Sequence, residues 1–197
     1  MKLVAVILFA SLLLAGAAET NQFFIKRPLE LSAAALRLNA SPYFRSQVDD
    51  FKKCVHHSLY SNPVEPELEP TIDFGALVEY PETGEPRHYF WLFSYAERPT
   101  KWVDIRTNRL TVIVDGKSII STEPVPGMGG VDLDERRPAG AIWEGYHFAA
   151  SAEAIRAVAN ARRVQFRLDG ERRVLQRSLD ATNIARFKVF ANAFLQK

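Results

Sequence analysis

One cysteine, Cys54, is the whole thiol content of this 197-residue chain. No internal disulfide can form, so stability must come from packing and not from covalent staples. Charge of one sign is missing as well. Lys and Arg number 25 against 23 Asp and Glu, a net charge of +2, and no global field calls for nucleic acid. No apolar run reaches the roughly 20 residues of a comfortable membrane helix. The sequence has no G-x-S-x-G elbow, no phosphate-cradling glycine loop, no zinc-binding H-E-x-x-H and no dinucleotide fingerprint. The one glycine-rich run, Gly127 to Gly130, sits among prolines and leads into no helix. These absences lower the odds of an enzyme without excluding one. They name no cofactor and no metal.

What is present is an ordinary globular composition, with 47% hydrophobic residues. The first residues stand apart from it. Lys2 is a positive n-region, Leu3 to Leu14 an apolar h-region, and Ala15-Gly16-Ala17 a small-residue cleavage site. Residues 1–18 read as a secretory signal, with the mature chain starting near Ala18 or Glu19. The expected location is periplasmic or secreted, with no transmembrane span after cleavage. Roughly 180 remaining residues can bury enough surface to fold without staples.

Residues 19–60 read as a helical segment. Pro28 to Leu38 is Ala- and Leu-rich and predicts a short helix. Ser41 and Pro42 supply an N-cap hydroxyl and a first-turn proline. Phe44, Val48, Phe51, Val55 and Leu59 follow at spacings of four, three, four and four, which predicts one long helix over about Pro42 to Tyr60. Residues 61–70 (SNPVEPELEP) read as an extended, acidic linker, because proline removes a donor and breaks helices.

Residues 71–197 read as the sheet-rich part. Strands are expected over Thr71 to Tyr80, Arg87 to Tyr95 and Lys101 to Arg106. A hairpin is expected over Arg109 to Ile120 across Asp115-Gly116, with Val112 near Ile119 and Ile113 near Ser118. Ser121 to Gly140, with three prolines and four glycines, reads as a long loop. Ile142, Tyr146 and Phe148 mark a strand interrupted near Gly145. Ser151 caps a short helix carrying Ile155, Val158 and Ala159. Val164, Phe166 and Leu168 then alternate with polar residues, and Asp169-Gly170 signals a second hairpin. A closing helix runs from about Asp180 to Leu195. The fold class is α+β: a mostly antiparallel sheet of six to eight strands, packed on one face by the long N-terminal-half helix and the C-terminal helix.

The segment from Ile142 to Leu175 with the closing helix resembles the C-terminal half of many uncharacterised exported bacterial proteins. The shared parts are a short capped helix, a strand carrying arginines, a DG-type turn and a final helix. They cover about a quarter to a third of the chain, and the resemblance implies no activity.

Four candidate sites follow. Cys54, His56 and His57 could be a nucleophile with its base, or a metal site. On a helix, residues one or two apart do not face each other, so a half-buried cysteine is the preferred reading and no catalytic residue or metal ligand is assigned. Asp132, Asp134 and Glu135 could bind a hard cation, against the plainer reading of a solvated loop. Tyr89, Trp91, Phe93 and Tyr95 share one strand face, with Trp102 as a possible neighbour. That face could be a stacking platform or an apolar pocket, but core beneath a helix is preferred. Finally, nine basic residues fall between Arg156 and Lys188, while Glu65 to Glu85 holds six glutamates and no Lys or Arg. Arg163, Arg167, Arg172 and Arg173 are the candidate binding residues for an anionic envelope component or a protein partner. The plainer reading is an intramolecular charge match. The expected function is a non-catalytic binding or interaction module. The alternatives are a hydrolase-like enzyme using Cys54 with His56 or His57, and a structural subunit of an envelope assembly.

Overall fold

Period-two alternation governs most of this chain, and it builds two antiparallel sheets. The computed structural model describes residues 26–134, 141–169 and 173–195. The leader at 1–18, Glu135, the Gly170 turn position and Arg172 lie outside the described residues.

Eleven strands are described. They are β1 (Phe44–Asp49), β2 (Cys54–Leu59), β3 (Pro63–Val64), β4 (Thr71–Pro81), β5 (Arg87–Ala96), β6 (Arg109–Val114), β7 (Lys117–Thr122), β8 (Pro124–Asp134), β9 (Ala141–Ala150), β10 (Val164–Asp169) and β11 (Val174–Leu179). The α-helices are α1 (Ala33–Leu38), α2 (Ala152–Ala159) and α3 (Ala181–Phe194). The larger sheet has the order β1-β2-β4-β5-β9-β8, with β3 also on β4. The smaller has the order β11-β10-β6-β7. The chain crosses between them after β5, β7 and β9.

The expected α+β class with a long covering helix is therefore overturned. Strands make up 49% of the structure and helix 21%. The segment from Pro42 to Tyr60 is a hairpin and not a helix. Phe44 pairs with Leu59 and Val48 with Val55 across it. A hairpin folded about its midpoint places apolar residues symmetrically, and here the symmetric spacings mimic a helical stripe. Phe51, the middle member of that stripe, sits fully exposed on the turn. Asp49 fixes the turn by accepting from the backbone N–H of Phe51 and Lys52.

Two further elements differ from expectation. Lys101 to Arg106 is not a strand. It lies in a crossover of two single-turn 3-10 helices, Pro99–Lys101 and Ile105–Thr107. Buried Glu144 of β9 holds this crossover by accepting from the N–H groups of Val103, Asp104 and Ile105 at 3.3, 3.2 and 2.7 Å. Burial pushes its carboxyl pKa up, and those three donors oppose the rise. Most of the expected loop from Ser121 to Gly140 is strand, because β7 ends at Thr122 and β8 begins at Pro124. Pro124, Pro126, Gly127, Gly129 and Gly130 fall on this edge strand, where a missing donor is tolerated; Pro138 and Gly140 lie outside the described residues. Gly145 does not interrupt β9, which runs unbroken from Ala141 to Ala150.

The β6–β7 turn uses Asp115 at φ 48° and Gly116 at φ 85°, the pair of positive φ values that a two-residue hairpin turn demands. Val112 pairs with Ile120 and Ile113 with Ser118, so Ile119 is the extra residue of a bulge. The Asp115 carboxylate also accepts from the backbone N–H of Arg162 and Arg163, at 3.1 and 2.8 Å. That ties the hairpin to the end of α2.

The core lies between the sheets and beneath α3. Phe74 of β4 is fully buried. Its ring centroid lies 4.7 Å from Phe166 of β10, 5.3 Å from Phe90 of β5 and 5.7 Å from Phe187 of α3. Asp180 and Asn183 form a reciprocal capping box at the start of α3. Asn183 then reaches the fully buried Asn62, which bonds the Phe74 carbonyl. The Pro- and Glu-rich segment at 61–70 is thus anchored to both α3 and β4. At the other end of α3, His57 stacks on Phe194 at 4.1 Å and bonds Ser46. Burial lowers the His57 pKa to about 4, so its ring packs as a neutral group.

Phe74→Ala should cost about 3–5 kcal/mol, the range for deleting a buried aromatic ring. Urea unfolding of the full chain measures it. A loss under about 1 kcal/mol, the size of a typical surface change, would show that the sheets are joined elsewhere.

Candidate functional site

Alternation leaves the second face of the larger sheet pointing away from the core. In β5, Phe90, Leu92, Ser94 and Ala96 face inward and are buried. Trp91, Phe93 and Tyr95 face outward and are half-buried, and Tyr89 is covered by its neighbours. The aromatic row is therefore not the core beneath a helix that the sequence suggested. It is the floor of an open sheet face. Trp143 joins it, with centroids 5.0 Å from Phe93 and 4.3 Å from Tyr95. Trp143 was missed, although the alternation that turns Ile142, Tyr146 and Phe148 inward turns Trp143 and His147 outward.

Gly75 shapes the floor. It pairs with Trp91, and a Cβ there would lie 2.3 Å from the indole nitrogen and 2.1 Å from the Leu59 carbonyl oxygen. Without that Cβ the indole lies across β4, and its Nε1–H donates to the Leu59 oxygen of β2 at 2.7 Å. Tyr60 stacks on the same ring at 5.8 Å with 18° between planes. A cavity of about 350 Å³ stands over this pair, lined also by Arg45, Gln47, Lys52, His56, Glu79 and His147. A shallower groove continues from Tyr60 and Gly145 past Phe93 and Trp143 to Asp132.

One wall of the cavity comes from a bulge in β8. Pro124 pairs with Phe148 and Gly129 with Tyr146. The residues between them arch out opposite His147, whose Nδ1 donates to the Met128 carbonyl at 3.0 Å. A carbonyl can only accept, so the proton sits on Nδ1 and Nε2 is left as an acceptor. Burial lowers the His147 pKa, and the Met128 carbonyl partly offsets this.

Cys54 and His56 are two residues apart along a strand, which puts them on the same face. The helical spacing that separated them does not exist. Cys54 Sγ lies 3.0 Å from His56 Nε2. His56 Nδ1 lies 3.3 Å from Oε1 of Glu79, which is 3% exposed. Arg87 holds the other Glu79 oxygen at 3.1 Å. His57 points to the opposite, core face. The thiol–imidazole–carboxylate order is that of an activated nucleophile. However, Cys54 has no exposed surface, and burial together with the charges of Glu79 and Asp49 pushes its pKa up. Both features work against a reactive thiolate.

Of the four candidate arginines, Arg163, Arg167 and Arg173 are described, and the latter two have partners within the molecule. Arg163 stands at the start of β10 and Arg167 in its middle, the latter paired with Asp169 at 2.7 Å. Arg173 donates to the Lys101 carbonyl at 3.4 Å. Arg177 pairs with Glu65 at 3.5 Å, which joins the basic and acidic stretches within the molecule. Asp132 lies on β8 opposite Trp143, while the side chains of Asp134 and Glu135 lie outside the described residues.

No helix among the described residues is long and apolar enough to cross a membrane. Comparison with protein-family models, with curated proteins and with solved structures finds no match to this chain.

Two outcomes are expected. Gly75→Ala should break the Trp91–Leu59 hydrogen bond at a cost of about 1–3 kcal/mol, read as loss of the downshifted indole N–H resonance and a lower urea midpoint. An unmoved resonance would show that the close approach is not needed. The His147 ring should titrate below its ordinary 6.5. The unfolded chain then takes up a proton between pH 6.5 and the folded value that the native chain resists. The stability that this ring contributes is therefore full above pH 6.5 and is lost as pH falls through its lowered folded value. Nitrogen chemical shifts of His147 check the midpoint, and His147→Gln should make the acid-side slope shallower, with His57 supplying part of what remains.

Proposed function

We propose that this chain is a non-catalytic binding module whose site is the outer face of its larger sheet. Its ligand is a small ring-bearing molecule with an anionic group. The observation that carries this reading is the Trp91 indole, pinned flat over Gly75 with Tyr60 stacked beside it beneath the cavity. A fixed aromatic plate binds flat apolar surface at little entropic cost, and concave sites with a few placed polar groups are where small ligands bind. The charge on the ligand follows from the rim. Arg45 and Lys52 bring two positive charges to the cavity, while the nearby Glu79 is held by Arg87 and His56. This keeps the anionic partner expected from the arginine-rich stretch but moves its site to the opposite sheet. Export remains part of the proposal and rests on the leader pattern at 1–18.

Tryptophan fluorescence of the full chain, titrated with aromatic and sugar carboxylates and their neutral amides, tests the reading. Saturable quenching by carboxylates is expected, lost in Trp91→Ala and weakened about tenfold in Arg45→Gln, the factor that roughly 1.4 kcal/mol represents. Equal binding of acids and amides would overturn the anionic assignment. Binding that survives Trp91→Ala would overturn the site.

A further inference from the structure

The geometry points to a transition-metal site of the zinc class, built by Asp49, Cys54 and His56 at the tip of the β1–β2 hairpin. Asp49 and Cys54 are cross-strand partners, and His56 follows on the same face. The thiol sulfur is 3.0 Å from His56 Nε2, and Asp49 Oδ2 is 3.6 Å from that same nitrogen. All three donor atoms lie within 4.8 Å of one another. A tetrahedral zinc ion, with bonds of about 2.3 Å to sulfur and about 2.0–2.1 Å to nitrogen and oxygen, sets its donors about 3.3–3.6 Å apart. The Asp49–His56 spacing already fits, the sulfur needs to move out from the ring by about half an ångström, and the sulfur and the Asp49 oxygen, within 4.8 Å of each other, need to draw together by up to about 1 Å.

The groups behind the donors are what separate this cluster from a chance meeting of polar side chains. Glu79 is almost wholly buried and faces His56 Nδ1 at 3.3 Å. A carboxylate on that nitrogen fixes its proton there and turns the Nε2 lone pair toward the thiol and Asp49, the usual support of a metal-bound histidine. Glu79 is itself fixed by Arg87 at 3.1 Å, with the Tyr89 hydroxyl 3.5 Å away. Asp49 is prepared in the same way. Its Oδ1 accepts the N–H groups of Phe51 and Lys52 at 3.0 and 2.9 Å, which leaves Oδ2 to face His56.

One thiolate and one carboxylate balance a divalent ion, with the thiol proton passing to solvent as the metal–sulfur bond forms. A nitrogen–sulfur–oxygen set suits zinc or cobalt better than calcium or magnesium, which want oxygen alone. A fourth position falls to water. The ion can reach the site from the hairpin tip, where the Asp49 side chain is partly exposed. Lys52 on the same turn, Arg45 on the same face of β1 and Arg87 beyond Glu79 are cations that oppose a bound ion.

The test is a titration of the full, metal-free chain with Co2+, followed by displacement with Zn2+. One equivalent should bring up the thiolate-to-cobalt charge-transfer band with strong tetrahedral d–d absorption, and Zn2+ should remove both. Asp49→Asn, a change at a partly exposed turn, should keep the fold by circular dichroism and weaken Co2+ binding. Glu79→Gln should weaken it by about 10–100-fold, the usual effect of losing a supporting carboxylate. Cys54→Ser should erase the charge-transfer band. Should that variant unfold, zinc protection of Cys54 from alkylation in the unaltered chain replaces it. Octahedral, band-free Co2+ spectra, or binding unchanged in Asp49→Asn, would mean an adventitious ion only and overturn the site. Loss of carboxylate quenching at Trp91 would leave this outcome untouched, because the metal titration does not read the aromatic floor.

Discussion

The stack of Phe74 on Phe166 joins the two sheets, and it also decides which side of the larger sheet is interior. A strand turns alternate residues to opposite faces. Once Phe74 is committed inward, Ala76 and Val78 follow it, and the partners Phe90 and Leu92 are drawn to the same side. Gly75, Leu77 and Glu79 must then face out, together with Trp91 and, two strands away, His56. The site is thus a by-product of core packing. No residue on the outer face could be exchanged with its neighbour without a one-residue slip that would empty the core.

The sheet that resulted was only partly legible in the sequence. Alternating runs such as Ile72-Asp73-Phe74 and Val164-Gln165-Phe166 carried their period openly and formed strands. The Pro42 to Tyr60 segment did not. In a hairpin, apolar pairs fall at equal distances either side of the turn, and Phe44, Val48, Val55 and Leu59 satisfy a helical count by that symmetry alone. Two features pointed the other way. Asp49 to Lys53 is polar at every position but Phe51, with aspartates suited to a turn, and Val55 to Leu59 includes β-branched and polar residues that a helix does not favour.

The error in that one segment carried into the chemistry. Helical spacing turns Cys54 and His56 apart, while strand spacing turns them together. The same two residues pass from unrelated neighbours to a pair 3.0 Å apart on the change of period. The partners of His56 could not have been found from sequence, because Glu79 lies 23 positions away and meets it only through the β2–β4 register. The aromatic row was visible as a row, but not which face it occupied. That depended on what covered the sheet, and the expected cover, a long helix, does not exist.

The charge asymmetry between the acidic and basic stretches illustrates the opposite case, a strong sequence signal with modest structural weight. Arg177 with Glu65 and Arg167 with Asp169 absorb part of it in pairs, and an exposed pair such as Arg167–Asp169 contributes about 0.2–1 kcal/mol. Spread over a solvated sheet face, the remaining charges are screened within about 8–10 Å. On the outer face of the larger sheet Arg45 and Lys52 are exposed, while Glu79 is almost wholly buried and already held by Arg87 and His56. All three line one cavity beside the aromatic floor. Convergence on one cavity, more than number, is what the proposed ligand site rests on.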